Sequence, residues 1–174
     1  RMEVKIDSSD PVNIPGEVLV KGDNVFLGYY KNEEATNESF TEDGWFKTGD
    51  LGVIDEDGFL YLKGRSKTMI LGPSGQNIYP EEIESELNNM LYVGESLVVE
   101  DNDKLLALIY PDQELMDKEK LTGAQVMEKL NEGLKEVNKI LPNYCKISGI
   151  EMVSEEFEKT PKRSIKRYLY QRNR

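Results

Sequence analysis

The sequence predicts an α+β fold in two parts: a small β-rich subdomain, then a compact α+β domain with a small sheet and flanking helices. Three observations carry this. Over the first third, apolar and polar residues alternate in short glycine-bounded runs, the period of half-buried strands. Beyond Lys67, apolar residues recur at three- and four-residue spacing over two stretches, the period of amphipathic helices. Four of the five phenylalanines and the single tryptophan, Trp45, precede Lys67. At 174 residues the chain is long enough for one or two small domains with a core of their own. The boundary is expected near Lys67, dividing residues 1–66 from 67–174.

Taken in order, Gly16 to Gly22 (GEVLVKG) alternates Val18 and Val20 with Glu17 and Lys21 and reads as a strand. NVFLGYY is a second, aromatic-rich β run. The polar stretch NEEATNESFTEDGW reads as a short helix or loop ending in an Asp43-Gly44 turn. DLGVIDEDGFLYLKGR reads as a hairpin, with Val53-Ile54 and Phe59 to Leu62 as strands and Asp55 to Gly58 as the turn. TMIL is a short strand before the loop Gly72-Pro73-Ser74-Gly75. Pro80 opens a helix with Glu81 and Glu82 in its first turn, where carboxylates favour the dipole, and an apolar face of Ile83, Leu87, Met90 and Leu91. ESLVVED and KLLALIYP are strands joined at Asp101-Asn102-Asp103. Thr122 and Gln125 form a capping box for a longer helix buried along Val126, Leu130, Leu134, Val137 and Leu141. Gly133 inside it costs roughly 1 kcal/mol relative to alanine. Leu141-Pro142 ends it, and GIEMVSEEF is a last strand.

Composition removes several function classes. With 33 acids against 22 bases the net charge is −11, which disfavours bulk nucleic-acid binding and adhesion to anionic membranes. No histidine is present, which removes Ser-His-Asp and Cys-His catalysis and most zinc sites. The lone Cys145 fits a reducing compartment. No apolar run approaches the roughly 20 residues of a membrane span, and no signal peptide is seen. The chain opens at Arg1-Met2-Glu3 in strand-like sequence, so a piece of a longer protein is expected. Lys159 to Arg174 carries seven bases and no acid. This is either a solvated basic tail or a concentrated basic end for an anionic partner.

No P-loop and no G-x-G-x-x-G are present. Asp50 follows Gly49 and Arg65 follows Gly64, each at the edge of a hairpin strand. A carboxylate accepts two hydroxyl hydrogen bonds, as a ribose diol requires, and a guanidinium donates in a fixed fork. The residues alone leave two readings open: a surface ion pair framing a hairpin, or a sugar-binding shelf.

The stretch from Gly28 to Glu84 resembles the closing motifs of the acyl-adenylate-forming, AMP-binding enzymes. The matching elements are Gly28-Tyr29-Tyr30, DGWFKTGD (Asp43 to Asp50), GRSK (Gly64 to Lys67) and GQNIYPEEIE (Gly75 to Glu84), in order and at the expected spacing. VNKILPNYCKI and FEKTPKRSIKRYLY resemble the bacterial long-chain fatty acid–CoA ligases. The resemblance implies that residues 1–66 end a large AMP-binding domain and that 67–174 form a mobile lid. It implies a cytoplasmic ligase using ATP, Mg²⁺, coenzyme A and a fatty acid, with peripheral membrane contact left open. It assigns Asp50 to the adenylate ribose, Arg65 beside it, Lys67 to the hinge and Gly75 to the pantetheine tunnel. An ungapped match puts Ser164 where the family has its adenylation lysine, so Lys162 or Lys166, through a register shift, is the expected catalytic cation. Two alternatives stay open: loading of a carrier-protein pantetheine, and a non-catalytic lid-like binding module. The chain by itself is expected to be inactive, with no cofactor bound.

Overall fold

The computed structural model describes residues 1–172, which form two compact units dividing between Met69 and Ile70. The amides of Thr68 and Met69 both donate to the Arg65 carbonyl at 3.1 Å, which ties the turn at Lys67 to the preceding strand.

In the first unit, β1 (Met2–Asp7), β2 (Gly16–Gly22), β3 (Phe46–Ile54) and β4 (Leu60–Arg65) make one antiparallel sheet in that order. β3 starts earlier than the hairpin pattern implied, because Phe46 and Lys47 already pair with Val20 and Leu19 of β2. The β3–β4 turn is set by Asp55, whose Oδ1 accepts from the amides of Asp57 and Phe59 at 3.1 and 2.8 Å. Between β2 and β3 lies α1 (Glu33–Glu38), capped by Asn32, whose side chain accepts from the Ala35 amide at 3.0 Å. NVFLGYY is not a strand; apart from an isolated Tyr29–Asn32 bridge it is irregular. Its Phe26 ring lies 5.0 to 5.7 Å from those of Tyr29, Phe40 and Phe46. The aromatic residues thus serve a local ring cluster rather than a ladder.

The second unit opens with β5 (Ile70–Leu71) and β6 (Asn77–Ile78), a short ribbon around the glycine loop. Then come α2 (Pro80–Leu87), β7 (Val93–Asp101), β8 (Lys104–Pro111), α3 (Gln113–Glu119), α4 (Gly123–Ile140) and β9 (Ile147–Met152). The sheet order is β7-β8-β9, antiparallel between β7 and β8 and parallel between β8 and β9. A parallel pair needs a crossover, and α3 and α4 supply it. Asn102 and Asp103 both take positive φ, 51° and 58°, the backbone of a two-residue primed turn. α3 was not expected from the pattern; none of its residues is fully buried, but Leu115 and Met116 pack against the core, and the Asp112 side chain caps it by accepting from the Leu115 amide at 3.0 Å.

The expected capping box of α4 is formed by Thr122 and Gln125. Val126, Leu130, Leu134 and Val137 are buried against Ile83, Leu87, Ile109 and Ile147. Leu141 caps the helix and is only partly buried. α2 stops at Leu87, so Leu91 lies beyond it and is 74% exposed, contrary to expectation. Its buried face is instead Pro80, Ile83, Glu84 and Leu87. Gly133 has a packing reason: a Cβ there would meet Met90 Cε at 2.8 Å, so the missing methyl makes room for Met90 against α4.

Candidate functional site

Asp50 and Arg65 stand opposite each other in the β3–β4 register. Arg65 Nε donates to Asp50 Oδ1 at 3.0 Å, with 63% and 38% of the two side chains exposed. At that exposure an ion pair contributes only about 0–1 kcal/mol. The backbone around it is nonetheless tightly fixed. Gly49 takes φ +75°, where a side chain would be strained. Its amide donates to Glu17 Oε1 at 3.0 Å, and its carbonyl accepts from the Ser66 amide at 2.9 Å. Thr48 Oγ1 donates to the Val18 carbonyl at 2.8 Å and accepts from the Asp50 amide at 3.1 Å. Arg65 Nη2 donates to the Thr48 carbonyl at 3.4 Å. With Oδ1 engaged, Oδ2 of Asp50 remains to accept from a hydroxyl, and the Arg65 fork keeps further donors. This shelf can hold a vicinal diol or an anion beside it.

Lys67 is exposed in the Ser66–Thr68 turn, just before the division between the units. In the second unit, the Gly72 amide donates to the Gln76 carbonyl and the Gly75 amide to the Gly72 carbonyl, both at 2.8 Å. Gly75 takes φ +81° and has open space where a Cβ would stand. Gly72, Pro73 and Ser74 line a cleft of about 300 Å³ whose other walls include Lys104, Tyr144 and Lys146.

Among its described residues the basic end is folded rather than a free tail, and its one helical element is a single 3-10 turn, Arg167–Leu169. Lys159 and Ile165 bridge a small hairpin, closed by Thr160 N–H to the Ser164 carbonyl and Arg163 N–H to the Thr160 carbonyl, both at 2.8 Å. Ile165 packs on the cluster of Leu97, Val99, Leu108 and Phe157. Lys162, Arg163 and Ser164 sit exposed at the tip. Lys166 Nζ is held by Glu158 at 3.1 Å, which keeps its ammonium above the usual lysine range. Lys159 pairs with Glu95 and Glu156, Arg167 with Glu84 and Glu81, and Arg172 with Asp101 and Glu151. Most of the basic end is therefore spent inside the unit, on acids brought together by the fold. Arg174 lies outside the described residues.

Sequence reasoning missed the Glu84–Arg167 pair. Glu84 is 8% exposed; its Oε1 accepts from the Val98 amide at 2.6 Å, and its Oε2 from Arg167. Burial pushes its carboxyl up to about 7, against the opposing pull of Arg167 and of the Val98 amide. The available signal was an acid at an apolar-face position of α2, between Ile83 and Leu87. Among the described residues, no group of three His, Cys, Asp or Glu side chains is placed to hold a metal ion, and no helix is long and apolar enough to cross a membrane.

Comparison with known proteins gives a consistent picture. Residues 67–173 match the family described as the AMP-binding enzyme C-terminal domain. Over 117 residues the chain is 45% identical to the long-chain-fatty-acid–CoA ligase FadD15 of Mycobacterium tuberculosis, covering 64% of this chain and 19% of that protein. Over 94 residues it is 47% identical to the 2-succinylbenzoate–CoA ligase of Bacillus cytotoxicus, covering 54% and 19%. The fold matches the o-succinylbenzoate CoA synthetase of Bacillus subtilis, solved with its acyl-adenylate intermediate, at TM-score 0.75 and 28% identity, over 99% of this chain and 34% of that one. It matches the adenylation domain of the Mycobacterium chelonae carboxylate reductase at TM-score 0.84 over 97% and 29%; at 21% identity that likeness concerns the fold alone. The chain spans about a fifth of the length of the curated relatives it matches.

Proposed function

We infer function from one premise, that the chain belongs to the AMP-binding enzyme C-terminal domain family. It is read as the closing part of a longer acid–CoA ligase. That enzyme joins a carboxylic acid to AMP and then transfers the acyl group to coenzyme A. A long-chain fatty acid is the proposed substrate, supported by the 117-residue match to a long-chain ligase. Residues 1–66 are read as the end of the large nucleotide-binding domain, 67–174 as its lid, and Lys67 as the hinge. A lid that turns lets one site serve two half-reactions with different nucleophiles.

The observation that carries this reading is the Asp50–Arg65 pair, built on a fixed backbone yet worth little as an ion pair. Asp50 Oδ2 suits a ribose hydroxyl, and the spare Arg65 donors suit oxygens of the same nucleotide. ATP, when bound, supplies the adenylyl group, and charge on the reacting phosphate calls for a nearby cation. Lys162, exposed at the hairpin tip, is free to turn toward such an anion, whereas Lys166 must first leave Glu158. Ser164, between them, has no charge to offer. Mg²⁺ would be held by residues outside this chain or by the phosphates themselves.

The test is Asp50→Ala in the longer protein. Losing hydrogen bonds from a charged acceptor should raise the KM for ATP by about 10- to 100-fold, with the KM for the acid little changed. An unchanged KM for ATP would remove Asp50 from the nucleotide site.

A further inference from the structure

The hairpin Lys159–Ile165 and the glycine loop Gly72–Gly75 are far apart in sequence but meet a common element. The loop runs through β6 into α2, and α2 carries Glu81 and Glu84. Both acids take Arg167, which stands two residues past the end of the hairpin: Glu84 Oε2 in a short contact and Glu81 Oε1 at 3.6 Å from the same guanidinium nitrogen. The hairpin has other footholds. The Lys166 amide donates to the Glu158 carbonyl at 2.8 Å, the Glu158 amide donates to the Tyr170 hydroxyl at 2.8 Å, and the Phe157 and Tyr170 rings meet edge-on at 5.0 Å. These tie the hairpin to its own flanks, and Lys159 ties it to Glu95 of β7; Arg167 ties it to α2.

Stability alone does not call for this joint. A buried ion pair is a poor stabiliser beside apolar side chains of the same volume. Phe157 and Ile165 show that apolar anchors are used a few residues away. What the ion pair adds is direction: a guanidinium drawn through one nitrogen toward two carboxylates of the same helix fixes the chain on which it stands.

Resting on the reading above, in which the hairpin carries the adenylation cation, we propose that Arg167 is a positioning residue. Seated on Glu84 and Glu81, it sets the hairpin tip at Lys162–Ser164 relative to α2 and the glycine loop. Acyl-adenylate formation then depends on this joint, while acyl transfer to coenzyme A, which uses the glycine-loop side of the unit, does not.

The discriminating variant is Arg167→Lys in the longer protein. It keeps a cation against Glu84, so the unit should stay folded, but a flexible ammonium replaces the planar guanidinium that both carboxylates draw in, and the hairpin is less firmly aimed at α2. Misplacing a reacting group by about 1 Å costs about 10²-fold, so acyl-adenylate formation, read in a single turnover as pyrophosphate release, should fall between 10- and 100-fold. Thioester formation from supplied acyl-adenylate should stay within about threefold, below the effect of that displacement. Amide hydrogen exchange should speed up at Thr160 to Lys166 and stay unchanged in β7 and β8. Glu84→Gln, which keeps an acceptor for the Val98 amide, should reproduce the same split. An equal loss in both half-reactions, or no loss in either, would overturn the positioning role. Failure of the unaltered protein to release pyrophosphate with any acid would instead overturn the functional reading, and the joint's role with it.

Discussion

Arg167→Ala should destabilise the second unit by about 3–5 kcal/mol at pH 8, the range for removing one partner of a buried ion pair. The cost comes from what is left behind. Glu84 is almost wholly buried, and without Arg167 only the Val98 amide faces its charge directly, while Glu81 nearby repels it. The effect should depend on pH, and the sign follows from the raised carboxyl. The folded unit holds the Glu84 proton up to about pH 7, whereas an unfolded glutamate releases it near 4.5. Glu84 therefore makes stability fall as pH rises from about 4.5 to 7, and level off above. At pH 5 the buried carboxyl is neutral and needs its cation less. The difference in unfolding free energy between wild type and Arg167→Ala should thus be clearly smaller at pH 5 than at pH 8, as read by urea denaturation at both. An equal difference at both pH values would mean that Glu84 stays ionised throughout.

Leu130→Ala should cost about 2–5 kcal/mol, the range for a core leucine replaced by alanine. Leu130 is wholly buried at the centre of the α4 stripe, in the cluster that contains Ile83, Leu87 and Ile109. Two helices and the sheet contribute to that cluster, so the site has little freedom to collapse around the missing atoms. Urea unfolding followed by far-ultraviolet circular dichroism measures it. The loss should appear in the transition of the second unit, because every residue of that cluster lies beyond Met69. A loss below about 1 kcal/mol would mean the cluster is loosely packed.

These outcomes mark what the sequence discloses and what it hides. Strands and helices with a clear period were legible: GEVLVKG, the hairpin after Asp50 and the capped helix from Thr122 all form. Asp50 and Arg65 were legible because glycines beside them flagged a shaped backbone, and the sheet register sets them face to face. NVFLGYY misled because aromatic content signals burial of rings, not ladder pairing. The parallel pairing of β9 with β8 is a long-range choice with no local signature. The basic end misled for a similar reason: its charges looked unmatched along the chain, while their partners, Glu84, Glu95, Asp101 and Glu151, lie far away in sequence. Glu84 itself sat within an apolar stripe, between Ile83 and Leu87, while Glu81 and Glu82 alone drew attention as first-turn acids.

The central claim is that the protein carrying this chain activates a carboxylic acid by joining it to AMP. Acid-dependent exchange of labelled pyrophosphate into ATP measures that step directly, across straight-chain acids from acetate to stearate and 2-succinylbenzoate. Exchange that is strongest with the long-chain acids, and that collapses in Lys162→Ala, is the expected result. No exchange with any acid, in a protein that is folded and binds ATP, would contradict it.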